Sequence, residues 1–141
     1  MPLEVHEREA DGILILDLNG RLVMGTEVGD ARRHFDRIAQ GGNPRVILNL
    51  ARLDYIDSTG LGTLVIGHSA IEDAGGAMKL LNLSKRNIEL LVLSKLTTIF
   101  EIFDEEQAAI DSFFPGREVK RFDILEFVKS HQADKQLKRS E

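Results

Sequence analysis

At 141 residues the chain has room for one domain and some extension, and its net charge of −5 argues against the clustered basic surface that nucleic acid requires. It has no cysteine, hence neither a disulfide framework nor thiolate chemistry, as suits a reducing cytoplasm. Apolar runs are too short to span a bilayer, and the acidic start (Glu4, Glu7, Glu9) is unlike a secretory leader. A soluble cytoplasmic protein is expected, with no membrane and no direct nucleic-acid partner.

In chain order, Leu3 to Arg8 alternates in part and is followed by Asp11-Gly12, a hairpin turn signal. Ile13 to Leu18 reads as a second strand, apolar enough to lie inside a sheet. Val28, Ala31, Phe35, Ile38 and Ala39 keep helical spacing, and Gly41-Gly42 ends that helix. Arg45 to Leu50 is a third strand. Leu61, Leu64, Val65, His68 and Ile71 mark one face of a second helix closed by Gly75-Gly76. Ala77 to Leu83 is a fourth strand, and Ser84 can cap a third helix that turns Ile88, Leu91 and Val92 inward.

Ile99 to Phe103 reads as a fifth strand, and Asp104 with Gln107 resembles a capping box for a fourth helix. Pro115-Gly116 then breaks the chain. Beyond it, Val119, Phe122, Leu125 and Val128 form an apolar stripe for an amphipathic helix, before a polar end from His131 onward. This order implies an α/β sandwich with a mixed central sheet of about five strands and about four helices, plus a C-terminal amphipathic helix.

The most informative stretch is Tyr55-Ile56-Asp57-Ser58-Thr59-Gly60-Leu61-Gly62. There a buried strand turns into a helix whose first turn carries an acid, two hydroxyls and two glycines. Either Ser58 or Asp57 can cap the helix, and Thr59 belongs to its first turn. A phosphate on Ser58 would meet the positive end of the helix. Gly60 and Gly62 clear the rim for a close backbone approach.

Other chemistries fit poorly. A nucleotide loop lacks its lysine and spacing. A serine-hydrolase elbow needs glycine where Ile56 stands. His6, His34, His68 and His131 are scattered without paired metal-ligand spacing, and His68 reads as a packing residue. Neither metal nor cofactor is expected, and no enzymatic activity.

The strand and helix order, with Asp57-Ser58-Thr59-Gly60-Leu61-Gly62, resembles the STAS domain, the family of anti-sigma-factor antagonists. The resemblance covers roughly residues 3–114, with 1–114 as the domain and 115–141 as a C-terminal helical extension. It implies that Ser58 is phosphorylated by a partner serine kinase that is itself an anti-sigma factor. The unphosphorylated antagonist would bind that kinase and free the sigma factor, phosphorylation would release it, and a phosphatase would reset the switch. The expected binding edge comprises Leu22, Val23, Met24, Gly25, Tyr55, Asp57, Ser58, Thr59, Gly60 and Leu61.

One departure stands out. Many antagonists carry glycine-glutamate-hydrophobic-aspartate at the end of the second strand, whereas this chain has Gly20-Arg21-Leu22-Val23. The loss of the acid at Val23 implies a slow phosphorylation substrate. The alternative role is a non-switching STAS scaffold, or a subunit of a larger signalling or lipid-transport assembly. The tail stripe implies a homodimer through the C-terminal helix.

Overall fold

The computed structural model describes residues 3–119 and 123–129. Phe122 of the expected tail stripe and the polar end from His131 lie outside the described residues. Strand β1 (Glu4–Ala10) turns into β2 (Ile13–Leu22) through Asp11 and Gly12, whose φ angles of +55° and +79° make the tight turn that suits strand twist. Then follow α1 (Thr26–Ala39), β3 (Arg45–Ile56), α2 (Ser58–Asp73), β4 (Ala77–Leu81), α3 (Lys85–Leu93), β5 (Ile102–Phe103) and α4 (Glu106–Asp111). The sheet order is β1-β2-β3-β4-β5, antiparallel between β1 and β2 and parallel thereafter.

Alternation along the strands divides the core between the two sheet faces. Leu16, Leu18, Leu48, Leu50 and Leu80 turn toward one face, where Phe35 of α1, Leu64 and Ile71 of α2 and Leu91 of α3 cover them. Ile13, Ile15, Ile47, Leu81 and Phe103 face the other way, under Ala108, Ala109 and Ile110 of α4. Lys79 fastens the segment after α4 to this second face. Its Nζ donates to Ser112 Oγ at 2.7 Å and stands 4.3 Å from the Phe113 ring centre. His68 is buried edge-on against Phe100, with ring centres 5.1 Å apart.

Two strands run further than the alternation indicates. β2 continues past Leu18 to Leu22 and β3 past Leu50 to Ile56, because register shifts after Asp17 and Gly20 let the pair absorb polar residues and resume at Gly20–Leu53, Arg21–Tyr55 and Leu22–Ile56. Other elements are shorter. β4 ends at Leu81, since Asn82 takes φ +60°. The expected fifth strand over Ile99 to Phe103 reduces to Ile102–Phe103. A 3₁₀ turn, Leu96–Thr98, takes up the preceding chain, and the amides of Ile99 and Phe100 both donate to Leu96 O. The Asp104–Gln107 capping box does not form: Glu105 is the cap position, no side chain caps the helix, and Gln107 donates to Asp111 instead at 2.9 Å. Past Pro115, Val119 packs beside α4, and Ile124, in a short helix over 124–129, packs against the larger core.

Candidate functional site

The extra turns of β2 and β3 deliver two chain ends side by side. Leu22 pairs with Ile56, so the loop 23–25 emerges beside the start of α2. Asp57 is the one residue between β3 and α2, in extended conformation at φ −91°, and its side chain joins the two segments. Gly60 N–H donates to Asp57 Oδ1 at 2.7 Å, capping the helix, and Met24 N–H donates to Oδ2 at 2.9 Å. The Asp57 amide in turn donates to Leu22 O at 3.2 Å. The Met24 bond, then the Gly60 bond, hold this carboxyl below its ordinary pKa against partial desolvation, with help from Thr59 N–H and the charge of Arg21. The cap is therefore a carboxylate.

Because Asp57 caps the helix, Ser58 does not. Ser58 is exposed, and among the described residues no hydrogen bond reaches its hydroxyl. Thr59 is exposed as well, its carbonyl accepting from Thr63 Oγ1 at 2.9 Å within α2. No histidine among the described residues bonds to Ser58, and both oxygens of the neighbouring Asp57 carboxylate accept from backbone amides.

The two glycines of the first turn differ. A Cβ on Gly60 would stand 2.1 Å from Leu22 O, so the helix start rests directly on the backbone of β2. A Cβ on Gly62 would meet nothing within 4 Å. The fold has no steric use for that glycine, although glycine inside a helix costs about 1 kcal/mol relative to alanine. Ile66, one turn further on the same side of α2, is 49% exposed.

The remaining expected site residues separate by burial. Met24, 74% exposed, and Gly25 stand out from the loop, and Val23 and Tyr55 are half-buried. Leu22, Gly60 and Leu61 are buried, so they shape the edge from beneath and turn no side chain outward. Ile66 is an addition; its place opposite the apolar face of the helix was readable from the spacing. Arg86 is another, since its basic character alone suggests a solvated charge. It stands 4.3 Å from the Tyr55 ring centre, with Arg21 at 5.2 Å from the same ring. Nothing in the linear pattern brings α3 to that ring.

Among the described residues no group of acids and histidines could hold a metal, and no helix is long and apolar enough to cross a membrane. The family model for the STAS domain matches residues 4–109. The chain is 28% identical over 110 residues to an anti-sigma F factor antagonist of Paenibacillus polymyxa, covering 78% of this chain and 94% of that protein. It is 35% identical over 71 residues to the anti-sigma-B factor antagonist of Bacillus subtilis, covering 50% of this chain and 63% of that one. The fold is also that of the Bacillus cell fate determinant SpoIIAA in its phosphorylated form, with a TM-score of 0.62 and 24% identity, covering 79% of this chain and 99% of that one.

Proposed function

The chain belongs to the STAS domain family, and on that premise we propose that it is an anti-sigma-factor antagonist switched at Ser58. Unphosphorylated, it binds an anti-sigma serine kinase in the cytoplasm. Phosphorylation of Ser58 releases it, and a phosphatase restores it. Its own contribution is a surface rather than catalysis. One observation carries the reading: an exposed Ser58 whose hydroxyl is free, at a helix start that Asp57 locks to the exposed Met24 loop. An acceptor needs exposure and an unengaged hydroxyl, and both are present because the neighbouring acid has taken the capping role. Val23 supplies no acid to the loop, but the bond from Met24 N–H to Asp57 orders it by another route. A homodimer through the tail would rest on Leu125, 66% exposed, since Ile124 is turned into the core.

Incubation of the full chain with the anti-sigma serine kinases of its own genome and ATP, followed by mass spectrometry, tests the switch. One phosphate on Ser58 is expected, and none on Ser58→Ala. Phosphate on Thr59 alone, or labelling that survives in Ser58→Ala, would refute it.

Gly62 gives an independent check. Replacing it with alanine should raise stability by up to about 1 kcal/mol, because the helix gains and nothing is touched. The same methyl group stands on the rim next to Ser58 and should weaken kinase binding. Urea denaturation and calorimetry read the two effects separately, and a variant that is both more stable and fully competent to bind would remove Gly62 from the docking surface.

A further inference from the structure

Two arginines gather on Tyr55, three residues before the acceptor serine, and Lys85 adjoins one of them in the chain. Arg21 lies opposite Tyr55 in the β2–β3 ladder, and its guanidinium stacks on that ring. Arg86, from the first turn of α3, stacks on the same ring, with Lys85 next to it. All three are exposed, and among the described residues none is within 4.0 Å of a carboxylate. The carboxylate whose field Arg21 contributes to is Asp57, and both of its oxygens are already taken by Met24 and Gly60 amides. Four other arginines are neutralised, Arg8 by Asp17 and Glu106, Arg33 by Asp30, Arg37 by Glu7, and Arg117 by Asp11 and Asp111; what sets Arg21 and Arg86 apart is that both stack on one ring.

The fold gains little from this arrangement. The first turn of α3 contains no acid, so Lys85 and Arg86 stand at the positive end of the helix, where a cation is disfavoured. Arg21 and Arg86 share one ring, which brings two like charges close to one another. Helix stability would favour an acid at positions 85 and 86, whereas the charge of Arg21 supports the Asp57 carboxylate. On a chain of net charge −5, such a cluster makes one corner of the surface opposite in sign to the whole.

We propose that Arg21, Lys85 and Arg86, braced on Tyr55, are the docking edge for an acidic surface of the partner kinase. The inference rests on the antagonist reading above and adds to it the chemistry of the partner: a protein face rich in carboxylates, drawn to this corner before Ser58 is engaged. Charge at the edge of an interface acts mainly on the rate of association and on its dependence on salt.

The test is the association rate of the full chain with its genome's anti-sigma serine kinases, by surface binding in rising NaCl. Arg21→Glu with Arg86→Glu should slow association by about tenfold or more at low salt and flatten the salt dependence. Lys85→Glu, whose side chain is not part of the stack on Tyr55, should slow it in the same sense. Arg21→Lys with Arg86→Lys should stay within about threefold of the wild type, because the charge remains. Melting curves establish that each variant is folded. Equal losses in the lysine and glutamate pairs, with an unchanged salt slope, would overturn the proposal and leave the arginines as packing for Tyr55. Failure of every kinase to bind the wild-type chain would instead overturn the antagonist reading, and this inference with it.

Discussion

Phosphorylation of Ser58 is expected to lower affinity for the kinase by roughly 30-fold to 5,000-fold, while Ser58→Ala binds as the wild type does. The added group brings about −1.5 to −2 charges near neutral pH. A free helix start would welcome an anion by about 0.3–1 kcal/mol. Here that welcome is partly spent, since the Asp57 carboxylate already holds the Gly60 amide and stands next to the new charge. The phosphate is exposed, so the domain should stay folded. At a closed interface an unpaired charge costs about 2–5 kcal/mol, which outweighs the dipole and sets the direction as release. The same phosphate would counter the positive corner at Arg21 and Arg86, which acts in the same direction. Calorimetry on the unmodified, phosphorylated, Ser58→Ala and Ser58→Asp proteins reads this directly, with Ser58→Asp expected between the extremes. Unchanged affinity of the phosphorylated protein would eliminate the mechanism.

Gly60→Ala should behave opposite to Gly62→Ala, two residues away. Its methyl carbon would stand 2.1 Å from Leu22 O, 2.9 Å from Leu22 C and 3.0 Å from Leu22 Cγ. The first two are backbone atoms in the ladder with β3 and cannot rotate aside. Either the end of β2 or the start of α2 must move, a strain of about 1–3 kcal/mol, against which alanine's helix preference returns about 1 kcal/mol at most. The shift also separates the two segments that Asp57 joins, so kinase binding should fall along with the urea midpoint. A Gly60→Ala protein with wild-type stability would show that the contact between helix and strand is slack.

The α/β order and the strand-to-helix turn that carries Ser58 were legible because their signals are local. The apolar runs across Ile13 to Leu18 and Val46 to Leu50, the Asp11-Gly12 turn and the helical stripe from Leu61 to Ile71 each need only neighbouring residues. The extensions of β2 and β3 were not legible, since Asn19-Gly20 and Ala51-Arg52 interrupt the alternation where the register shifts, and only pairing across strands carries the ladder through. The apolar run Ile99 to Phe103 misleads for a related reason: Phe100 is buried from a turn, not from a strand. Whether Asp57 or Ser58 caps α2 stayed open in the sequence because both residues suit the role. The amide of Met24, thirty-three positions earlier in the chain, gives Asp57 its second partner. The gathering of Arg21 and Arg86 on Tyr55 depends in the same way on three separate elements.

That long-range bond also determines what kind of object a kinase would have to recognise. The surroundings of Ser58 are assembled from the end of β2, the loop at Met24 and the first turn of α2, and one carboxylate keeps them together. A short synthetic copy of Asp54 to Thr63 would contain the motif but neither the loop nor the packed helix start, and a helix that short is not stable alone in water. The substrate would be a conformational epitope, erased by unfolding, so that only finished molecules of the antagonist could enter the cycle.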